Sequence, residues 1–112
     1  EVSFFVARVG GMALGCGALR VLDGRSGELK RMYVAPEARG LGLGRAILQA
    51  IEHRAALLGL VELKLETGTA QPEALGLYRA SGYLPCVAFA DYRPSPLNLF
   101  LAKTLHGGGR RH

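Results

Sequence analysis

Residues 39–45 read Arg39-Gly40-Leu41-Gly42-Leu43-Gly44-Arg45, three alternating glycines between two arginines. Glycine adopts backbone angles that are closed to other residues, and it lets an anion approach the main chain without a Cβ in the way. The stretch lies between a predicted strand and a predicted helix, so its peptide N–H groups can converge at the positive end of that helix. The sequence therefore predicts an anion-binding loop.

The segments on either side of the loop predict the strand and the helix that it joins. Residues 28–34 alternate between two faces, and Pro36 ends the strand because proline removes a hydrogen-bond donor and restricts the residue before it. Residues 45–58 carry apolar side chains at helical spacing, and Gly59 is placed to cap the helix.

The rest of the chain predicts further strands and one more helix. Pro72 suits the first turn of that helix, which Gly82 closes. The strand candidates, bounded by glycine, proline or other turn residues, are residues 4–8, 12–21, 61–66, 83–90 and 97–103. This order predicts an α/β mixed sheet (α+β), mostly antiparallel, in which a crossover helix creates one parallel pair and helices flank the sheet.

Length and composition predict a single domain. A chain of 112 residues, 49% of them hydrophobic, can hold one core and has no room for two. We assign the domain to residues 1–105. Residues 106–112, with their glycines and basic side chains, are typical of a flexible tail.

Charge and cysteine content predict no nucleic-acid, membrane or metal partner. The formal charge of +5 comes from 14 Lys and Arg against 9 Asp and Glu, and two of the positive charges lie in the tail, which leaves too little for nucleic-acid binding. The longest apolar stretch, residues 9–19, is broken by glycines and too short to cross a bilayer. Cys16 and Cys86 stand far apart, without ligands at metal spacing, which fits a reducing, cytoplasmic location.

Two common phosphate-binding motifs do not fit the loop. The dinucleotide-binding fingerprint requires a glycine three positions past its second glycine, and that place holds Arg45. A P-loop requires Ser or Thr after Gly-Lys, whereas this chain has Gly44-Arg45-Ala46 and thus no hydroxyl for magnesium.

The loop instead resembles the acetyl-coenzyme A signature of the GNAT superfamily of N-acetyltransferases. That signature is Gln or Arg, two residues, Gly, any residue, then Gly or Ala, and Arg39, Gly42 and Gly44 match it. Residues 30–38 are similar to the strand and turn that precede it, and Leu77-Tyr78 followed by Gly82-Tyr83 is similar to the superfamily's later helix. The resemblance covers residues 4–105.

This resemblance implies a GNAT-like acyl-CoA N-acyltransferase fold, with acetyl-CoA as the acetyl-donor cosubstrate. Met32, Tyr33 and Val34 are then expected to pair with the pantetheine arm through their backbone groups. Gln71 stands where many members have an asparagine that contacts the cofactor. The loop amides from Leu41 to Arg45 are expected to bind the pyrophosphate. The cofactor-binding positions of the loop are Arg39, Gly40, Leu41, Gly42, Leu43, Gly44 and Arg45.

The resemblance also implies direct attack of an unprotonated amine on the acetyl thioester in a ternary complex. Tyr78 matches the tyrosine that protonates the departing thiolate, and its alternative is a core aromatic that packs the sheet. Glu28 lies where some members keep a glutamate that acts as general base through water, and its alternative is a solvated residue at a strand start. A non-catalytic module that binds acetyl-CoA or CoA is the second functional hypothesis.

The resemblance leaves the acceptor amine open. Members usually begin with a strand and one or two helices that wall the acceptor site, whereas residues 4–8 resemble the second strand of the fold. We therefore expect a fragment, a wall supplied by another subunit, or a reduced form, and exposed apolar surface that favours a homodimer. The loop Asp91-Tyr92-Arg93-Pro94 is a candidate for acceptor contact, with a simple polar turn as its alternative.

Overall fold

The computed structural model of the chain describes residues 2–69 and 72–105. Its strands are β1 (Val2–Val9), β2 (Met12–Val21), β3 (Ser26–Val34), β4 (Glu62–Gly68), β5 (Leu84–Pro85) and β6 (Asn98–Thr104). Its helices are α1 (Leu43–Leu57) and α2 (Pro72–Ala80), and one 3-10 turn covers Pro36–Ala38. The predictions for Gln71 and for the tail at 106–112 lie outside the described residues.

The six strands form one sheet in the order β1-β2-β3-β4-β6-β5. The pair β3–β4 is parallel, and the other four neighbouring pairs are antiparallel. A parallel pair needs a crossover connection, and α1 supplies it between β3 and β4. The predicted mixed sheet with one parallel pair is confirmed.

The core lies where the helices meet one face of the sheet. Strand β4 alternates strictly, with Leu63, Leu65 and Thr67 buried and the residues between them half-buried. The buried side of α1, at Ile47, Leu48, Ile51 and Ala55, belongs to the same core cluster as Leu63 and Leu65. Tyr78 of α2 is also a member, so both helices contribute to one core.

Two glycines of β2 let α1 lie close against the sheet. A Cβ added at Gly17 would stand 2.8 Å from Met32 Sδ and 2.9 Å from Ile47 Cγ2. At Gly15 it would stand 2.9 Å from Ile47 Cδ1. Larger residues at these positions would push α1 away, and with it the glycine loop at the start of the helix.

The prediction of a strand over residues 83–90 is wrong except for Leu84–Pro85, which pair with β6. Pro85 brings no hydrogen-bond donor to a ladder. Val87 is 83% exposed, and Ala90 has a left-handed backbone with φ +53°. The segment instead leaves the sheet edge and folds back so that the buried ring of Phe89 packs against Phe100.

Candidate active site

A cleft opens where β3 and β4 separate. The parallel pairing begins where Ser26 of β3 lies beside Glu62 of β4 and ends where Leu29 lies beside Leu65. Beyond Leu29, β3 no longer pairs with β4. The residues of β3 that follow therefore present an edge toward the cleft, where an extended ligand can add as a further strand. The cleft between the strands, α1 and α2 has a volume of about 1190 Å³.

A β-bulge accompanies this separation. Cys16 pairs with Tyr33 and Ala18 with Lys30, so two residues of β3, Arg31 and Met32, oppose Gly17 of β2. Arg31 has a positive φ of 58°. A bulge bends its strand and increases the local twist, which accounts for the turn of β3 away from β4.

The cleft brings together most of the residues that the sequence predicted for the site. Leu41 is largely exposed and does not line the cleft in the part of the chain that the structure describes. The predicted site residues along the cleft are Glu28, Met32, Tyr33, Val34, Arg39, Gly40, Gly42, Leu43, Gly44, Arg45 and Tyr78.

The glycine loop has the geometry of an anion cradle. Gly40 and Gly42 adopt positive φ angles of 86° and 80°, and a Cβ added at either would meet nothing within 4 Å. Gly42 caps α1 without a side-chain hydrogen bond, and the first turn of the helix holds no acidic residue. The amides at the start of a helix have no acceptor within it, so those of Leu43, Gly44 and Arg45 are available to an anion.

Two contacts fix the loop beside α2. A Cβ at Gly44 would stand 3.1 Å from Leu77 Cδ2, which shows how closely α1 approaches α2. The Arg39 guanidinium lies 3.3 Å from a carboxylate oxygen of Glu73, in a solvent-exposed ion pair. The Leu41 amide donates to the Ala38 carbonyl at 3.3 Å, so it helps to close the preceding turn.

Tyr78 is a protonated phenol in the wall of the cleft. Tyr78 is 6% exposed, and its ring packs edge-on against the ring of Tyr83, with centroids 6.0 Å apart. Burial raises the pKa of Tyr78 to about 12, because a phenolate loses its hydration there. The hydroxyl therefore keeps its proton at neutral pH and is available as a proton donor or hydrogen-bond donor.

Glu28 is a carboxylate buried at the base of the cleft. It is 1% exposed, and its Oε2 accepts a hydrogen bond of 2.5 Å from the Tyr92 hydroxyl. Arg20 Nη1 lies 3.5 Å from Oε1, and Lys30 Nζ lies 3.5 Å from Oε2. Among the described residues, Oε1 has no hydrogen-bond partner. The alternative interpretation of Glu28, a solvated residue at a strand start, does not hold because the residue is buried.

Tyr92 is the part of the site that the sequence located least well. The loop 91–94 was a candidate for acceptor contact, but nothing near it indicated that its tyrosine reaches a glutamate 64 positions earlier. Its aromatic type in a loop otherwise rich in proline and charge was the one available signal.

Two structural features are absent from the described residues. Within residues 2–69 and 72–105, no group of three or more His, Cys, Asp or Glu side chains is placed to hold a metal ion. No helix of this part of the chain combines the length and the apolar character needed to cross a membrane.

Comparisons with known proteins identify the family. The family model described as Acetyltransferase (GNAT) domain matches residues 1–85. The IAA acetyltransferase of Azospirillum brasilense is 44% identical over 106 residues, which cover 94% of this chain and 69% of that protein. The uncharacterized N-acetyltransferase YsnE of Bacillus subtilis is 37% identical, covering 94% and 71%.

Solved structures share the fold. A Klebsiella pneumoniae protein assigned to the acyl-CoA N-acyltransferases is 40% identical, with a TM-score of 0.90 and coverage of 94% of this chain and 73% of that one. A GNAT family acetyltransferase of Elizabethkingia anophelis, solved with acetyl-CoA bound, is 23% identical with a TM-score of 0.78, covering 91% and 75%. The family match and the relatives that are 37–44% identical show that the chain belongs to the GNAT superfamily and is an N-acetyltransferase.

Proposed function

We propose that the chain transfers the acetyl group of acetyl-CoA to a primary amine by direct attack within a ternary complex. The observation that carries this proposal is the cleft between the diverging β3 and β4. It combines an anion cradle at the glycine loop, an open strand edge, a buried carboxylate and a protonated phenol. These are the groups that amine acetylation requires.

On the donor side, the first-turn amides of α1 bind the pyrophosphate of acetyl-CoA, and Arg39 and Arg45 add positive charge. The open edge at Met32, Tyr33 and Val34 pairs with the amides of the pantetheine arm. The bound acetyl-CoA of the Elizabethkingia protein and the bound coenzyme A of a Thermoplasma acidophilum N-acetyltransferase support acetyl-CoA as the donor. Contacts from Leu41 and Gln71 stay predictions.

On the acceptor side, Glu28 receives the proton of the amine through water, and the amine nitrogen bonds to the thioester carbonyl carbon. The carbon–sulfur bond then breaks, and Tyr78 gives its proton to the departing thiolate. Backbone N–H groups near Tyr33 and Val34 stabilise the negative charge that develops on the carbonyl oxygen. The products are an N-acetylated amine and coenzyme A.

Changing Glu28→Gln is expected to lower kcat about 100-fold, because the amide cannot take a proton. The affinity for acetyl-CoA should stay within about twofold of the parent, since the donor half of the cleft is untouched. Initial rates of thiol release with a panel of amines measure kcat, and calorimetry measures the affinity for acetyl-CoA. IAA, from the name of the Azospirillum relative, is added to the panel. Glu62→Gln on β4, outside the cleft lining, is the matched control; unchanged turnover in Glu28→Gln would exclude the base role.

A non-catalytic module that binds acetyl-CoA or CoA is the alternative, and one observation favours it. Three groups already engage Glu28, namely Arg20, Lys30 and Tyr92, as expected of a carboxylate with a structural role. Binding of acetyl-CoA without turnover of any amine would support this alternative.

Self-association is proposed through the outer face of β1, an edge strand of the sheet. Val2, Phe4 and Val6 alternate onto that face, and Phe4 is 70% exposed. A cytoplasmic location stays a prediction, supported by the free thiols of Cys16 and Cys86.

We expect Phe4→Ser to shift the parent from dimer toward monomer, because the central apolar side chain of the contact is lost. Sedimentation velocity over a concentration series measures the shift. Val87→Ser removes a similarly exposed apolar side chain far from β1 and should leave the association unchanged. A parent that is monomeric throughout, or equal shifts in both variants, would contradict the proposal.

A further inference from the structure

Three side chains from distant parts of the chain form a hydrogen-bond relay at the base of the cleft. Lys30 Nζ donates to the Tyr92 hydroxyl at 2.9 Å, and that hydroxyl donates to Glu28 Oε2 at 2.5 Å. Lys30 and Glu28 lie on β3, whereas Tyr92 belongs to the segment between β5 and β6. All three line the cleft.

The direction of each hydrogen bond in this relay is fixed by chemistry. A lysine ammonium can only donate, so the Tyr92 oxygen accepts from Lys30 and its own proton is left for Glu28. This occupies Oε2 of the carboxylate. Arg20 Nη1, at 3.5 Å from Oε1, is too distant for a strong hydrogen bond. The carboxylate is thus oriented through Oε2, whereas Oε1 is buried and has no hydrogen-bond partner among the described residues.

Packing holds Tyr92 in place for this task. Its ring packs edge-on against the buried ring of Phe89, with centroids 5.4 Å apart and planes at 71°. The centroid of the Phe100 ring lies 6.0 Å from that of Tyr92. The Lys30 ammonium lies 5.6 Å from the Tyr92 ring centroid. The turn that delivers the ring contains Ala90 at a positive φ of 53°, a conformation that costs energy for alanine.

We propose that Tyr92 is a positioning residue for acetyl transfer, which holds Oε2 of Glu28 so that Oε1 takes the acceptor proton. The role rests on the proposed function of the cleft. Tyr92 keeps its own proton throughout, and the proton of the amine passes through water to Oε1 of Glu28. Tyr92 therefore acts through Glu28 and needs no contact with the reacting atoms.

The ionisation of the neighbouring groups is compatible with this role. Burial, and then the bond to Glu28, raise the pKa of Tyr92, while the bond to Tyr92 is the main cause that raises the pKa of Lys30. Both groups stay protonated at neutral pH. Among the described residues, Arg20 on β2 and Lys64 on β4 are further charged neighbours of Glu28. Lys64 is the register partner of Glu28, and its ammonium lies 3.7 Å from Glu62.

The protein carries a second tyrosine–glutamate–lysine set away from the cleft lining, which serves as a matched control. The Tyr83 hydroxyl donates to Glu52 Oε2 at 2.9 Å, and Lys103 Nζ donates to Oε1 at 3.0 Å. Lys103 lies 5.7 Å from the Tyr83 ring centroid, as Lys30 lies over Tyr92. The same substitution in the two sets separates a catalytic effect from loss of a buried hydrogen bond.

Tyr92→Phe is expected to lower kcat about 10-fold with little change in acetyl-CoA affinity. It should also move the acid limb of the kcat/KM profile to higher pH, because a carboxylate that loses a hydrogen bond holds its proton to higher pH. Tyr83→Phe should leave both quantities unchanged. In a Glu28→Gln background, Tyr92→Phe should cause no further loss, since its effect passes through Glu28. Initial rates from pH 5 to 10, set by the assay, give all these comparisons.

The role of Tyr92 alone would be overturned if the parent turns over an amine and Tyr92→Phe has the same rate and pH profile as the parent. It would also be overturned if Tyr92→Phe causes its full loss of kcat in the Glu28→Gln background. No turnover of any amine by the parent would reject the proposed function and this role with it. Circular dichroism verifies that the variants fold. If Tyr92→Phe does not fold, Lys30→Met takes its place, because it removes the other end of the relay. Lys30→Met is expected to shift the pH profile of kcat/KM, and an unchanged profile would overturn the role of Tyr92.

Discussion

Acetyl-CoA binding is expected to be lost when Gly42 is replaced by glutamate. Gly42 caps α1 with φ +80°, and an added Cβ has open space, so the new carboxylate would project into the cradle without a packing clash. It would place a negative charge at the proposed pyrophosphate site and accept hydrogen bonds from the amides assigned to the phosphate. We expect the affinity to fall at least about 100-fold, or roughly 2.7 kcal/mol, in calorimetric titrations.

Gly59→Glu is the matched control for this change. Gly59 follows α1 with φ +82°, and an added Cβ there also meets nothing within 4 Å, so the variant carries the same charge and similar backbone strain away from the loop. Its affinity for acetyl-CoA should stay within about twofold of the parent. Equal losses in both variants would point to a general effect of strain, and binding by Gly42→Glu would reject the loop assignment.

Turnover is expected to fall about 100- to 1,000-fold in Tyr78→Phe, because the thiolate then departs without a proton donor. Only one hydroxyl is removed, and the ring that packs against Tyr83 is kept, so the fold and the acetyl-CoA affinity should change little. Initial rates of thiol release and calorimetry on the same preparation measure the two quantities.

The pH dependence gives a second reading of the Tyr78 prediction. Because burial raises the pKa of Tyr78 to about 12, its protonated form prevails through neutral and mildly alkaline pH. The parent rate should therefore show no decline from loss of this proton below about pH 10. Tyr83→Phe, which alters the neighbouring ring in the core, is the control. A Tyr78→Phe variant with parental turnover would leave Tyr78 only its packing role.

The conformation of the glycine loop could be predicted from sequence because its cause is local. Arg39, Gly42 and Gly44 lie within six consecutive positions, and the property that they create belongs to the backbone at the start of a helix. The helix that follows was equally readable from its spacing, and it was predicted over 45–58 and observed over Leu43–Leu57.

The shape of the cleft could not be predicted, because it depends on a strand irregularity with no residue signal. The bulge of β3 places Arg31 at a positive φ, a conformation that glycine usually marks. The strand prediction over residues 83–90 was wrong although the residue pattern was clear. The apolar character of these residues is typical of a strand, but Pro85 weakens pairing with the neighbouring strand, and the ring of Phe89 packs against Phe100 instead.

The surroundings of Glu28 were also beyond the sequence. Tyr92 reaches it only because β4 and β6 pair side by side and the segment between β5 and β6 folds back over the sheet. Glu28 and Tyr92 are 64 positions apart, so no periodic pattern in the sequence indicates their contact. The sequence could propose a base and an acid by resemblance, but the orientation of the base is a property of the assembled sheet.

The most direct test of the account is a titration of the ¹⁵N-labelled chain with acetyl-CoA, followed by amide NMR. We predict one-to-one binding with the largest shifts at Met32, Tyr33 and Val34 on the open edge of β3 and at Leu43, Gly44 and Arg45 at the start of α1. The amides of β1 and of Gly59 should move little. A folded chain whose spectrum does not respond, or responds away from these two segments, would contradict the assignment of the cleft as the acetyl-CoA site.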